Sequence, residues 1–368
     1  ERIMDNLTFS NTSDTPSVSR TLTYTVNDGG AGGTVEGATL GVTIIRDNDT
    51  PVMSATTLGG TYTERDATAL QFVSGTIVVS DPDSPTSFNG GSLTVSLDTY
   101  VTGDTLSVLD EGSGAGQIGV SGSTLSYGGV SFASIAGGNG ADLVIAFNSA
   151  TATPAAVQAL LARLRYGNTS NDNPTVNNTD PTRIFTVTLN DGANTFDTGA
   201  DDSAAKTAQL TGTITITPTA DAPLITAGNT TFTEGGTAST LSSGLTLTDP
   251  DDTQAVSATV QITANLQASF DTLAVSGTAI GGTIFGTNIV VTSYDSSTGT
   301  LTLTGTDTLA NYQAALRSVT FNNTNEDPAG NNLTATRTIT WSVRDANSNV
   351  IGASGALGTT TSSVTLNP

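Results

Sequence analysis

The chain has no cysteine, no histidine and a single lysine, Lys206, in 368 residues. Without cysteine there are no disulfides and no thiolate metal sites. Without histidine, the commonest general base and the commonest transition-metal ligand are missing. One lysine also excludes repeated lysine–asparagine isopeptide cross-links. Basic residues are scarce throughout: 11 Lys and Arg stand against 33 Asp and Glu, for a formal charge of −22. Phosphate binding needs clustered Lys and Arg, so no nucleic-acid partner is expected. An anionic membrane surface is disfavoured for the same reason. No apolar run approaches the length of a membrane helix, so direct membrane insertion is not expected. No signal peptide is recognisable and residue 1 is Glu, which reads as a processed chain or a piece of a longer one.

What remains is β-forming. Hydrophobic residues make up 36% and charged residues only 12%. Disordered chains carry more charge and fewer β-branched residues. Here Val, Ile and Thr abound, which suits strands with a polar outer face.

The sequence repeats itself, and repeats fix the architecture before any local reading does. One landmark is an aromatic followed by Asn-Thr: Phe9-Ser10-Asn11-Thr12, Tyr166-Gly167-Asn168-Thr169 and Phe321-Asn322-Asn323-Thr324, each closed by a proline at 16, 174 or 328. A second is a strand ending in Asp: Thr23 to Asp28, Thr186 to Asp191 and Trp341 to Asp345. A third is Asp-x-Pro, at Asp49-Thr50-Pro51 and Asp221-Ala222-Pro223. Tyr62-Thr63-Glu64 matches Phe232-Thr233-Glu234, and Asp81-Pro82-Asp83 matches Asp249-Pro250-Asp251. The spacings give a repeat of about 155 to 170 residues, with a loop insertion of about 15 in the middle copy. Residues 1–48 read as the C-terminal part of one module, 49–220 as a complete module and 221–368 as another.

Within modules, apolar and polar residues alternate at period two, as in Leu22, Tyr24 and Val26 against Thr21, Thr23 and Thr25. Gly, Asp and Asn clusters separate these runs. The pattern predicts an all-β fold of tandem antiparallel β-sandwich modules. One stretch per module breaks it. Thr153-Pro154 introduces Val157, Leu160, Leu161 and Leu164 at helical spacing, and Asp307 to Leu316 is its equivalent. Thr153 is placed to cap a helix and Pro154 to open it. Ile3 and Met4 read as the tail of the same helix.

The acids gather at module ends, on loops. Calcium takes six to eight oxygen ligands, while turns also favour Asp and Asn. The arrangement Arg46-Asp47-Asn48-Asp49-Thr50-Pro51, with Asp81-Pro82-Asp83, Asn89-Gly90, Asn190-Asp191-Gly192 and Glu64 or Glu234, resembles cadherin-like tandem repeats, especially those of giant bacterial surface adhesins of the repeats-in-toxin type. The resemblance implies a cadherin-like, immunoglobulin-like sandwich and Ca²⁺ at two junctions. The first would use Asp47, Asn48, Asp49, Asp81, Asp83 and Asp191. The second would use Glu64, Asp221, Asp249, Asp251 and Asp345. Two features depart from that family. Its central Asp-Arg-Glu signature is missing, and Thr219 and Ala220 stand where Asp47 and Asn48 stand in the first linker. The second junction is therefore expected to bind fewer or weaker ions.

The function expected is structural or adhesive: an extracellular, cell-surface rod whose partners are neighbouring modules or copies of itself. Any host or matrix ligand would be bound elsewhere in the parent protein. The alternative is a subunit of a self-assembling fibre or S-layer, in which a neighbouring chain completes the first module. A carbohydrate- or protein-binding module is a third reading, weakened because Trp341 aligns with Tyr24 on a strand. No enzyme is expected. The paired carboxylates recur from module to module, and the glycine-rich stretches show neither a phosphate-loop lysine nor a dinucleotide fingerprint.

Overall fold

The computed structural model describes residues 6–13, 16–31, 35–82, 86–169, 171–193, 204–329, 335–347 and 355–367. The chain divides into two compact units, residues 1–170 with 182–216, and residues 171–181 with 217–368. The all-β expectation is met: each unit is built of sheets that enclose a core, and each carries one short helix.

In the first unit, alternation sets the layers. Leu93, Val95 and Leu97 of the Ser92–Leu97 strand are buried, and the residues between them are half-exposed. This strand lies mid-sheet between Thr182–Asn190 and Leu143–Phe147, in a sheet of nine strands. Facing residues come from a three-stranded sheet, Leu70–Gln71, Leu164–Gly167 and Thr105–Val108. Phe72, Phe88, Phe132, Phe147 and Phe185 fill the core, whose buried members run from Met53 to Ile216. A further hairpin, Ser19–Asn27 with Val35–Thr43, forms its own two-stranded sheet and supplies none of those members.

The second unit repeats this plan with fewer strands. Its main sheet has six, with Gln254–Ala264 between Thr336–Asp345 and Thr300–Thr308. The short Thr230–Thr233 strand closes one side by running parallel to Leu357–Asn367. A three-stranded sheet of Ser239–Thr240, Val319–Asn323 and Asp271–Val275 faces it. Trp341, Phe232, Phe321 and Tyr312 fill the core. The two main sheets differ by three strands, two of which lie in the longer middle repeat's additional residues. Its extra residues are not a loop: they form the hairpin Ile118–Ser121 with Thr124–Tyr127, which adds two strands to the nine-stranded sheet.

Both expected helices form. Helix α1 (Pro154–Leu161) has Thr153 as N-cap, whose Oγ1 accepts from the Ala156 N–H at 3.2 Å. Helix α2 (Leu309–Arg317) is capped the same way by Thr308, through the Asn311 N–H at 3.2 Å. Val157, Leu160 and Leu161 are buried as predicted, but Leu164 is not helical. The chain leaves α1 at Ala162, and Leu164 opens the next strand, paired with Val108. Ile3 and Met4 lie outside the described residues. Thr153→Ala removes the acceptor of the Ala156 N–H, and is expected to cost about 0.5–2 kcal/mol in urea unfolding.

Candidate metal sites

The strand registers carry acids toward the strand ends by a shared rule. In the first unit Val52 pairs with Ser80, so Asp81 comes level with Pro51 at the end of the linker. Asp81 is buried. Asn48 is buried too, and its Nδ2 donates to Asp191 Oδ2 at 3.0 Å and to the Ala204 carbonyl at 3.0 Å. Asp191 Oδ1 accepts from the Lys206 N–H at 2.7 Å. The structure thus brings Asn48 and Asp191 together across 143 residues of sequence. Asp49 is half-buried and Asp47 is exposed. Asp83 lies outside the described residues. Glu64 is buried at the end of the Val52–Thr63 strand, just before Arg65, which has φ 57°.

The second unit gathers four of the expected residues. Leu224 pairs with Thr248, which sets Asp249 beside Pro223. The Asp221 N–H donates to both oxygens of Asp251, at 3.3 and 3.4 Å. Asp249 Oδ1 accepts from the N–H groups of Asp251 at 3.1 Å and Asp252 at 2.9 Å, an Asp-led turn. Asp345 accepts from the Asn347 N–H at 2.9 Å and the Ala356 N–H at 2.8 Å. Asp251, Asp252 and Asp345 are all buried. Sequence reading missed Asp252, whose turn-forming neighbours masked it. Glu64 belongs to the first unit, whereas Asp221, Asp249, Asp251 and Asp345 belong to the second.

This crowding has an electrostatic cost. Burial, and then the Asp251 carboxylate beside it, push the Asp249 acid up to about 7. Burial likewise raises Asp345, and the Asp252 and Asp251 charges add to the effect. Asp249 Oδ2 is buried without a hydrogen-bond partner. The donor set is oxygen alone, which fits a hard cation such as Ca²⁺ and not a soft or transition metal. Among the described residues, no three acidic side chains already stand where they could hold one ion. The carboxylates are collected but not drawn around a centre.

The strongest polar assemblies were not read from the sequence at all. Asp104 is fully buried, and it accepts from Arg183 Nε at 2.7 Å, Tyr166 Oη at 2.6 Å, Asn168 Nδ2 at 2.9 Å and the Val101 N–H at 2.8 Å. The second unit rebuilds the assembly. Asp271 accepts from Arg337 Nε and the Gln267 N–H at 2.7 Å each, and from Asn323 Nδ2 at 2.5 Å. The Asn of the aromatic-Asn-Thr landmark is therefore there to reach a buried carboxylate. Two signals could have exposed this: Asp-Thr-Leu stands at 104–106 and 271–273, as well as at 307–309 before α2, and Arg20, Arg183 and Arg337 each stand eight residues before a strand-end Asp.

No family model matches the chain. A stretch of 159 residues, 42% of the chain, is 33% identical to Halomucin of Haloquadratum walsbyi (strain DSM 16790 / HBSQ001). It spans 2% of the length of that relative. Among solved structures, the protocadherin gammaB7 EC3-6 cis-dimer aligns over 95% of this chain and 58% of its own, at 11% identity and a TM-score of 0.34. Mouse protocadherin-24 EC1-3 aligns over 95% of this chain and 80% of its own, at 11% identity and a TM-score of 0.33. Mouse cadherin-23 EC22-24 aligns over 95% and 75%, at 13% identity and a TM-score of 0.30.

Proposed function

We propose that this chain is a structural or adhesive segment of an extracellular surface protein, a run of β-sandwich modules stiffened by Ca²⁺. The observation that carries this reading is duplication of the framework. The same Asp–Arg–Asn assembly, the same closing hairpin and the same helix are built twice. Repetition extends a chain in space, whereas a catalytic centre has no reason to recur with its framework. The Halomucin match supports it, because a segment spanning 2% of that relative has the proportions of one repeat in a very long protein.

Calcium enters through the acids. Burial, and then the neighbouring Asp251, make Asp249 resist ionisation, and burial with the Asp252 and Asp251 charges does the same to Asp345. A divalent cation would replace repulsion with shared ligation and hold the loops at 249–252 and 345–347 in one arrangement. Binding to the folded state alone stabilises it by mass action, about 2.7 kcal/mol at a hundredfold excess over Kd. In the first unit, Asp81, Asp191, Asn48 and Asp49 offer the corresponding oxygens.

The test is thermal unfolding in EGTA and in added Ca²⁺ at matched ionic strength, since any salt screens a charge of −22. Ca²⁺ is expected to raise the melting temperature of the second unit. Asp249→Asn is expected to raise the metal-free melting temperature and shrink the Ca²⁺ response. Identical melting curves with and without Ca²⁺ would sink the calcium reading and leave the structural one standing.

A further inference from the structure

The N-terminal hairpin copies the closing hairpin of each unit pair for pair. Arg20 sits opposite Val42, as Arg183 sits opposite Ile214 and Arg337 opposite Val364. Leu22, Tyr24 and Val26 then occupy the places of Phe185, Val187 and Leu189, and of Ile339, Trp341 and Val343. Those six residues are 0% exposed, whereas Leu22 is 36%, Tyr24 38% and Val26 55% exposed. Phe9 is 42% exposed, while its counterparts Tyr166 and Phe321 are 0%. The local turn is already made: Asn11 Oδ1 accepts from the Ser13 N–H at 3.0 Å, as Asn323 Oδ1 does from Asn325 at 2.7 Å. A groove of about 480 Å³ runs along this face, lined by Leu7, Phe9, Leu22, Tyr24, Leu40 and Val42.

In both units the equivalent face is covered by the leading half of the module, and that half supplies the carboxylate. It is Asp104 for Arg183 and Asp271 for Arg337. Arg20 is instead exposed, and its Nη1 donates to the adjacent Ser19 carbonyl at 3.3 Å. We propose that the apolar face formed by Leu7, Phe9, Leu22, Tyr24, Leu40 and Val42 is a docking surface for a leading half-module like residues 221–318, whose buried aspartate pairs with Arg20. An occupant without that carboxylate would bury the guanidinium without a counter-charge, at prohibitive cost. The inference stands apart from the calcium reading, since none of the junction acids lies on this face.

The test joins a copy of residues 221–318 ahead of the chain, so that Ser318 precedes Leu7 as it precedes Val319. A second version uses residues 49–163. Amide hydrogen exchange of residues 19–27 and 37–43 is expected to slow by about 100-fold or more in at least one fusion, as an edge hairpin becomes part of a core. Asp271→Ala in the added copy alone, or Arg20→Leu, is expected to abolish the gain. Unchanged exchange in both fusions, with the Ser92–Leu97 and Gln254–Ala264 strands still protected, would overturn the proposal. So would protection of 19–27 that rises with concentration in the unfused chain, which would assign the face to a second copy.

Discussion

Asp271→Ala is expected to destabilise the second unit by about 3–5 kcal/mol, the range for removing one partner of a buried ion pair. The cost is not the loss of a favourable contact. Asp271 and Arg337 are both 0% exposed, so the substitution strands a guanidinium where no water can reach it. Asn323 Nδ2 keeps only Gln267 Oε1 of its two acceptors, and the Gln267 N–H loses Asp271 Oδ2. Trp341 is the sole tryptophan and belongs to this unit, so its fluorescence during urea unfolding reports the effect directly. Asp271→Leu combined with Arg337→Met is expected to recover much of the loss, because an apolar pair of similar volume removes the desolvation penalty together with the charge. A single substitution that leaves the urea midpoint unmoved would show that the pair does not hold the two sheets together.

Trp341→Ala is expected to cost a similar amount, about 3–5 kcal/mol. The indole is fully buried in the middle of the core, on a strand paired on both sides. Its removal leaves a cavity that a sheet fixed by two ladders cannot collapse to fill. It also strips Ser362 Oγ of the indole N–H, which donates to it at 2.9 Å. Trp341→Phe keeps most of the volume and is expected to cost less. Circular dichroism melts of the two variants check the order, and equal melting temperatures would contradict it.

These two residues show unequally in the sequence. Trp341 is legible as core, because it alternates with Thr340 and Ser342 in a period-two strand and aligns with Tyr24. Asp271 is not. A carboxylate reads as a turn or surface residue unless its partner is known, and Arg337 lies 66 residues away. The landmark asparagines were visible as a repeat, but their purpose depends on a carboxylate from a different strand. The same limit applies to the junction acids. Their positions at strand ends follow from the pattern, and the fold brings Asn48 within hydrogen-bond distance of Asp191. That Asp252 joins Asp251 near Asp345 follows only from the Ala255–Asp345 pairing.

By itself the sequence determined the local architecture: period-two strands and one short helix in each unit, the first capped by Thr153. Those features depend on residues a few positions apart, where steric and hydrogen-bonding preferences act directly. The tertiary structure decided what depends on burial. It turned the extra middle residues into a hairpin, ended α1 before Leu164, and set Asp104 and Asp271 at 0% exposure against buried arginines. Dielectric surroundings decide whether a carboxylate is a solvated turn residue or the counter-charge of a buried arginine, and only packing the two sheets together creates that environment.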